Sequence, residues 1–271
     1  EIPEKDRPLR ADVSLLATLL GDVLAEQHGP ELLQKVEVVR KAAIRQREGD
    51  QDDGGPNGLQ TALNELDQES VMLVIQAFAS YLRLVNLAEK VHRLRRRRVY
   101  QRAQIGAQPG SLEMALGLMK LQGVDRDALA KQINTLRIQP VFTAHPTEAT
   151  RRTIQEKEYD IVLRLAEMLN PELTPDEEKL ALNRIRSSLT SAWQTRLVPH
   201  QRPTVADELD NILFYLTDIL YRVTPVFYES FQDAWETHFG ECPEGLMRDI
   251  ILRFGSWVGG DMDGNPNVTS E

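Results

Sequence analysis

Apolar residues recur every three or four positions along most of the chain, which is the spacing of one face of an amphipathic helix. The first such stripe comprises Leu9, Val13, Leu16, Leu20 and Val23. Gly29 ends this helix, and Pro30 suits the first turn of the next one. Residues 49–58 are polar and rich in turn formers, so we expect an exposed loop there. The pattern predicts a mostly helical chain.

The segment from Leu59 to about Gln104 is helical again, with a break expected between Asp67 and Ser70. Apolar residues form two stripes along it, which is typical of a central helix in a helical domain. The stripes are Val71, Val74, Ile75, Phe78, Leu82 and Val85, and Leu73, Leu84, Leu87, Val91 and Leu94.

Two later segments carry strong helix signals. Thr174–Pro175–Asp176–Glu177 has the form of a capping box and predicts a helix that reaches about Arg196. A further apolar stripe covers residues 209–223. Because proline removes a backbone donor, Pro225 should kink or end that helix, and the apolar face then continues to Gly240.

Only two segments have the pattern of β-strands, Ile138 to Thr143 and Ile250 to Val258. They lie more than a hundred positions apart, and two lone strands do not make a stable sheet. Either they pair with each other, or their partners lie outside this chain.

The composition is that of an ordinary globular protein, with 41% apolar and 27% charged residues in 271. Cys242 is the only cysteine, which excludes an internal disulfide framework. The net charge of −9 argues against attraction to nucleic acid or to an anionic membrane. No stretch reaches the roughly 18 unbroken apolar residues of a membrane span, and the first residues are too charged for a signal peptide. We therefore expect a cytoplasmic protein that binds neither nucleic acid nor membrane.

Residues 90–102 form the one strongly basic segment, with seven lysines and arginines and no acid. One interpretation is a surface for nucleic acid or another polyanion. The other is the solvated or salt-bridged end of a long helix. The acidic net charge and the presence of Tyr100 as the only aromatic residue favour the second interpretation.

Residues 141–152 carry the first group of chemically active side chains. The pattern predicts a strand, then a helix that begins near Pro146, so His145 lies at a corner beside a helix N-terminus, where free N–H groups favour anions. Thr147 adds a hydroxyl, while Arg151 and Arg152 add charge suited to phosphate or carboxylate. His145 can act there as general acid or base. The alternative is a buried histidine beside a threonine cap.

Residues 254–269 carry the second group. Four glycines in ten residues allow a ligand close to the backbone, and Trp257 lies among them. Asp261 and Asp263 are suited to hold a cation or to orient arginines. Gly264 is wrongly placed for a calcium loop of the EF-hand type. The alternative is a network of tight turns with aspartate caps.

These two segments resemble, in the same order, two signatures of the phosphoenolpyruvate carboxylases. The first is Val141-x-Thr143-Ala144-His145-Pro146-Thr147-Glu148-x-x-Arg151-Arg152, and the second is Gly255-Ser256-Trp257-Val258-Gly259-Gly260-Asp261-Met262-Asp263-Gly264-Asn265-Pro266-Asn267-Val268-Thr269. Asn86-Leu87-Ala88-Glu89 is a weaker third match. One departure is Met262, where family members usually carry arginine.

The resemblance implies the N-terminal part of a lyase that carboxylates phosphoenolpyruvate with bicarbonate to oxaloacetate and phosphate, replenishing the tricarboxylic acid cycle. It implies a cytoplasmic, allosteric homotetramer that uses Mg²⁺ or Mn²⁺, with the metal ligands and the catalytic lysine beyond Glu271. The implied fold is mostly α, with a helical domain over residues 1–136. Residues 137–271 then begin an incomplete parallel (β/α) barrel with long inserted helices. On this interpretation the chain alone is inactive.

The resemblance also assigns roles to residues. His145 is the catalytic base, and no metal ligand lies in this chain. The residues implied to bind substrate are Thr147, Arg151, Arg152, Trp257, Gly259, Gly260, Asp261, Asp263 and Asn265. The competing hypothesis is a non-catalytic helical binding module that uses Arg93 to Arg102 as its surface.

Overall fold

The computed structural model describes residues 3–48, 58–103, 106–143, 151–196, 204–246, 251–260 and 268. The helices that it shows are a 3₁₀ turn Glu4–Asp6, α1 Arg7–His28, α2 Pro30–Arg47, α3 Leu59–Asn64, α4 Gln68–Ala103, α5 Leu112–Leu121, α6 Arg126–Thr135, α7 Arg152–Glu167, α8 Pro175–Gln194, α9 Val205–Phe214, a π-helical segment Tyr215–Leu220 and α10 Tyr221–Phe239. The strands are β1 Val141–Phe142 and β2 Gly255–Ser256. The predicted mostly α fold is confirmed.

Local signals set the helix ends where the sequence places them. Gly29 adopts a φ of 83° between α1 and α2, a conformation that glycine tolerates best. At the start of α8 the Thr174 N–H donates to Glu177 Oε2 over 2.9 Å, and the Glu177 N–H donates back to Thr174 Oγ1. The hydrogen bond from the Thr174 N–H lowers the pKa of Glu177. Thr204 and Asp207 make a second capping box that the sequence analysis missed.

The contacts divide the chain into two compact units, each built from two stretches of sequence. The first unit contains residues 1–96 and 151–197, and the second contains residues 97–150 and 198–271. The domain boundary at residue 136 that the sequence suggested stays a prediction. The contacts follow a different division because α7 and α8 share one apolar core with the N-terminal helices.

The core of the first unit is formed by α1, α2, α4, α7 and α8. Its most deeply buried side chains are Leu16, Val23, Leu24, Leu87, Val91, Ile161 and Ile185. Polar contacts also join helices around this core. Arg83 Nη1 of α4 lies 2.9 Å from Glu158 Oε1 of α7, and the Trp193 Nε1–H of α8 donates to His28 Nε2 of α1 over 3.0 Å.

The two apolar stripes of α4 are not equally buried, although Val74 of the first stripe lies in the core. Leu84, Leu87 and Val91 are buried, whereas Ile75 is 56% exposed and Leu82 is 61% exposed. The structure thus corrects the expectation that both stripes lie inside the domain. By length and composition alone α4 could also cross a membrane, but the core helix of a folded domain passes the same test.

The second unit is built around α10. Leu116 of α5, Leu129 and Ile133 of α6, and Ile251 pack against its buried face. The chain is helical from Val205 to Phe239, and Pro225 lies inside α10. Of the two outcomes expected for Pro225, an end of the helix is therefore wrong, because the apolar face beyond it continues into the core, and a kink stays a prediction.

The two strands pair with each other in parallel, as one of the two alternatives predicted. Val141 lies opposite Gly255, Phe142 lies opposite Ser256, and a bridge joins Ile138 to Leu252. The regular part of each strand is shorter than the sequence pattern suggested. The ladder nevertheless covers most of both predicted segments, since the Ile138 N–H donates to the Ile251 carbonyl and the Trp257 N–H donates to the Phe142 carbonyl.

Trp235 is the largest fully buried side chain among the described residues, and it lies between the rings of Phe231 and Phe239. Its Nε1 is buried without a hydrogen-bond partner in the described part of the chain. We expect Trp235→Ala to lower the free energy of unfolding by about 3–5 kcal/mol. Trp235→Phe should cost less than about half of that, because it keeps the ring stacking and removes a donor that makes no hydrogen bond. Urea unfolding followed by circular dichroism measures both, and equal losses would contradict this account.

Candidate functional site

The two signature segments leave the sheet at the same edge. Because β1 and β2 are parallel, their carboxyl ends lie side by side, and the Trp257 N–H donates to the Phe142 carbonyl over 2.9 Å at that end. Thr143 follows β1 and leads directly into the segment that contains His145. The carboxyl edge of a parallel sheet is where ligands bind in α/β proteins, so this edge is the candidate active site.

Residues Trp257 to Gly260 form a tight turn at this edge. The Gly260 N–H donates to the Trp257 carbonyl over 2.8 Å, and Gly259 has a φ of 74°. A positive φ at the third residue of a turn requires glycine or a residue that tolerates it, which explains Gly259. Ser256 Oγ accepts a hydrogen bond from the Val258 N–H over 3.1 Å and steadies the turn. The side chain of Trp257 is 52% exposed, so its ring is available to cover a ligand.

Arg151 and Arg152 lie at the start of α7 in the first unit, not one turn inside a helix as the sequence suggested. Arg151 is extended and caps the helix, and its carbonyl accepts the N–H groups of Ile154 and Gln155. A helix running unbroken from Pro146 is therefore wrong. The helix begins at Arg152, and its first buried residue is Ile154.

The two arginine side chains differ in their surroundings. Arg152 Nε lies 3.4 Å from Glu156 Oε1, and both side chains are largely exposed. Arg151 is half-buried, and its guanidinium makes no hydrogen bond or ion pair within the described residues. Since a guanidinium matches carboxylate and phosphate groups in two-point hydrogen bonding, Arg151 is the better placed of the two to bind an anion.

Five of the predicted site residues lie outside the described residues: His145, Thr147, Asp261, Asp263 and Asn265. Met262 lies there too. Their roles stay predictions. Within the described part of the chain, no group of three or more His, Cys, Asp or Glu side chains could hold a metal ion. The described residues therefore do not fit a Mg²⁺ or Mn²⁺ site.

The first half of the basic segment is engaged in ion pairs. Arg95 Nη2 lies 2.7 Å from Asp12 Oδ2, and Arg95 Nη1 lies 3.1 Å from His92 Nδ1. Arg93 lies 3.9 Å from Glu89. His92 is buried, and burial together with the nearby Arg95 charge lowers its pKa. These contacts agree with the interpretation of the segment as a salt-bridged helix end.

The second half of the segment lines a cavity of about 480 Å³ in the second unit. Arg97 contributes a positive charge to the lining, but Glu113 of α5 and Asp233 of α10 contribute negative ones. A lining with both signs of charge is not the uniform cationic surface that a polyanion needs. None of the predicted site residues that the structure describes lines this cavity.

We expect no specific nucleic-acid binding by residues 90–102. The ion pairs of Arg95 and Arg93 and the acidic residues beside Arg97 motivate this expectation. A filter-binding titration at about physiological salt should give a Kd no tighter than the non-specific range of roughly 10⁻⁴ to 10⁻⁶ M. The control variant replaces Arg97 and Arg98 with glutamine and should bind equally weakly. Sub-micromolar, sequence-selective binding that this variant loses would contradict the expectation.

Two tyrosines that the sequence analysis did not single out contact the strands. The Tyr228 hydroxyl accepts hydrogen bonds from the Ile251 N–H over 3.1 Å and the Leu252 N–H over 3.4 Å. The Tyr215 ring stacks on Phe142 with 6.1 Å between centroids. The only sequence signal for either residue is an aromatic side chain on a long helix, which does not reveal a contact made across the fold.

The fold and the strand-end residues define a mostly helical protein that presents a glycine-rich turn at the carboxyl edge of parallel strands, where β1 leads in sequence towards His145. The family model described as phosphoenolpyruvate carboxylase matches residues 9–271. The chain therefore belongs to the phosphoenolpyruvate carboxylase family.

Relatives support this assignment over nearly the whole chain. The phosphoenolpyruvate carboxylase of Xanthomonas oryzae pv. oryzae is 47% identical over 264 residues, which is 97% of this chain and 28% of that protein. The enzyme of the same name from Nitrosomonas europaea is 38% identical over 99% of this chain and 28% of its own length. That of Ralstonia nicotianae is 38% identical over 98% of this chain and 27% of its own length. The chain thus spans somewhat more than a quarter of these relatives.

Proposed function

We propose that this chain is the N-terminal part of an enzyme that carboxylates phosphoenolpyruvate with bicarbonate to give oxaloacetate and inorganic phosphate. The observation that carries the proposal is the family match over residues 9–271, which includes both strand-end segments. Such an enzyme replenishes the tricarboxylic acid cycle. A cytoplasmic, allosteric homotetramer belongs to the same proposal. The comparisons support this function and not a binding module built on Arg93 to Arg102.

The proposed chemistry has three steps. A bicarbonate oxygen attacks the phosphorus, and the bond from phosphorus to the enol oxygen breaks, which leaves carboxyphosphate and the enolate of pyruvate. Loss of the carboxyl proton then breaks the bond between carbon and the bridging oxygen, so that carboxyphosphate becomes CO₂ and phosphate. Finally the enolate carbon attacks CO₂ and forms oxaloacetate. His145 is proposed to take the carboxyl proton, as a neutral imidazole can.

The other residues are proposed to bind and shield the reacting groups. Thr147, Arg151 and Arg152 hold phosphate and carboxylate oxygens by charge-assisted hydrogen bonds. The exposed ring of Trp257 covers CO₂ and excludes water before the enolate reacts. The turn at Gly259 and Gly260 lets substrate approach the backbone. Asp261, Asp263 and Asn265 are proposed to orient these groups.

Mg²⁺ or Mn²⁺ is the proposed cofactor, and a bound divalent ion offsets negative charge on an enolate oxygen and on phosphate. No ligand set for it is present among the described residues.

The proposal is tested on the full-length protein, meaning this sequence continued to the length of its relatives. A coupled assay with malate dehydrogenase should show NADH oxidation that requires both phosphoenolpyruvate and bicarbonate. Bicarbonate labelled with ¹⁸O should transfer one labelled oxygen to phosphate, since the bridging oxygen of carboxyphosphate stays on phosphorus. Phosphate release without bicarbonate, or without label transfer, would contradict the proposed reaction.

A further inference from the structure

The strand that carries Trp257 is fixed at its start by a side chain from α10. Along this strand the N–H groups of residues 253, 255 and 257 donate in turn to the carbonyls of Ile138, Pro140 and Phe142. The Ile251 N–H, which is next in this series towards the N-terminus, donates to the Tyr228 hydroxyl over 3.1 Å. Ile251 is 3% exposed, so water cannot readily replace the phenol. Tyr228 therefore supplies the acceptor that a strand carbonyl supplies elsewhere.

The same helical run also contacts the other strand. Tyr215, at the first position of the π-helical segment, stacks on Phe142 at an interplanar angle of 27°. Phe142 is the last residue of β1 and lies three positions before His145. Segments of π-helix frequently lie at functional sites, since they change which side chains face a neighbour. One continuous helix from Val205 to Phe239 thus contacts both strands of the candidate site.

The contacts of Tyr228 and Tyr215 are important for the stability of the strand pair because the pair is small. Two paired strands are marginally stable without further packing, and the regular part of each strand is two residues long. The position of the Trp257 turn along β1 therefore depends on what holds the strand at Ile251. A displacement of about 1 Å in a catalytic group is enough to lower a rate by roughly 100-fold.

We propose that Tyr228 and Tyr215 are positioning residues, which set the Trp257 turn and the end of β1 in the geometry that captures CO₂. This inference rests on the proposed function. Neither tyrosine is proposed to touch the substrate. Tyr228 acts through the backbone of Ile251, and Tyr215 acts through the ring of Phe142. Loss of either contact leaves phosphoryl transfer possible but lets CO₂ escape, so the enolate is protonated to pyruvate.

The ratio of oxaloacetate to phosphate formed tests the proposal, because a merely structural defect lowers both products equally. In the full-length protein we expect Tyr228→Phe to lower this ratio at least about two-fold and the oxaloacetate rate roughly ten-fold or more. Pyruvate should account for the missing oxaloacetate. The matched control is Tyr221→Phe, the same change on the same helix at a side chain that is 78% exposed, and its ratio should not change.

A second variant tests the positioning role at the other strand, β1. It can replace Tyr228→Phe as the test if that variant does not accumulate as folded protein. Tyr215→Leu removes the ring stacking and should lower the ratio, whereas Tyr215→Phe keeps the ring and should not. An unchanged ratio in Tyr228→Phe, or in Tyr215→Leu, would overturn the role proposed for that residue. If the unsubstituted protein makes no oxaloacetate at all, the proposed function itself fails, which the assay distinguishes from a failure of the positioning role.

Discussion

In the full-length protein, His145→Asn should abolish oxaloacetate formation while bicarbonate-dependent cleavage of phosphoenolpyruvate continues. Asparagine has a comparable shape and forms hydrogen bonds, but it cannot accept the proton of carboxyphosphate. Loss of a general base typically lowers a rate by 10² to 10⁴-fold. Phosphoryl transfer precedes the proton transfer, so phosphate and pyruvate should still appear. Parallel assays of oxaloacetate, pyruvate and phosphate in one reaction measure all three.

The informative control for this variant is His200→Asn, since His200 lies outside both signature segments and should be dispensable. Two results would change the assignment. If cleavage also stopped in His145→Asn, the residue would act before decarboxylation. Near-normal oxaloacetate production would remove His145 from the mechanism altogether.

The 271-residue chain by itself should show no carboxylase activity. It spans about 28% of the Xanthomonas relative, and its described residues supply no metal-ligand set. In the described part of the chain each strand pairs only with the other, so both outer edges lack a strand partner. A barrel site needs the strand ends of a closed barrel. One acid–base residue typically accelerates a reaction 10² to 10⁴-fold, which is far less than the 10⁶-fold or greater acceleration by a working enzyme.

The isolated chain should therefore be helical by circular dichroism and inactive in the coupled assay with phosphoenolpyruvate, bicarbonate and Mg²⁺. The matched control is the same chain with His145→Asn, which should give the same background rate. Turnover by the purified chain that His145→Asn removes would show that a complete site lies within these residues, and it would contradict the prediction.

Much of the helical structure was predictable because helix ends depend on neighbouring residues. Gly29, Pro30 and the capping box at Thr174 act within one turn of the backbone, so the sequence alone is sufficient to place them. The predicted start of α7 near Pro146 was wrong because this helix end does not depend on neighbouring residues alone. Arg151 and Arg152 carry no local start signal. The first buried residue of the helix is Ile154, and its burial depends on contacts that the sequence does not show.

The sequence was sufficient to predict which residues belong to the candidate site, but not how they are arranged in space. The sequence identified both strands and the signature residues that follow them, because the strand pattern, His145 and the glycine turn are each contained in a short stretch. It left open whether the strands pair with each other. That question concerns segments more than a hundred residues apart. Only the fold answers it, through hydrogen bonds such as that from the Trp257 N–H to the Phe142 carbonyl.

The sequence by itself thus determined the helical class, the strand segments and the family to which the two signatures belong. Only the tertiary structure decided which apolar faces are buried and which side chains support the site. Ile75 and Leu82 have the same helical spacing as buried leucines but remain exposed, because no described element covers these two side chains, whereas Val74 of the same stripe is buried. Tyr228 has no distinguishing sequence pattern, since its role depends on a hydrogen bond to a strand 23 residues further along the chain.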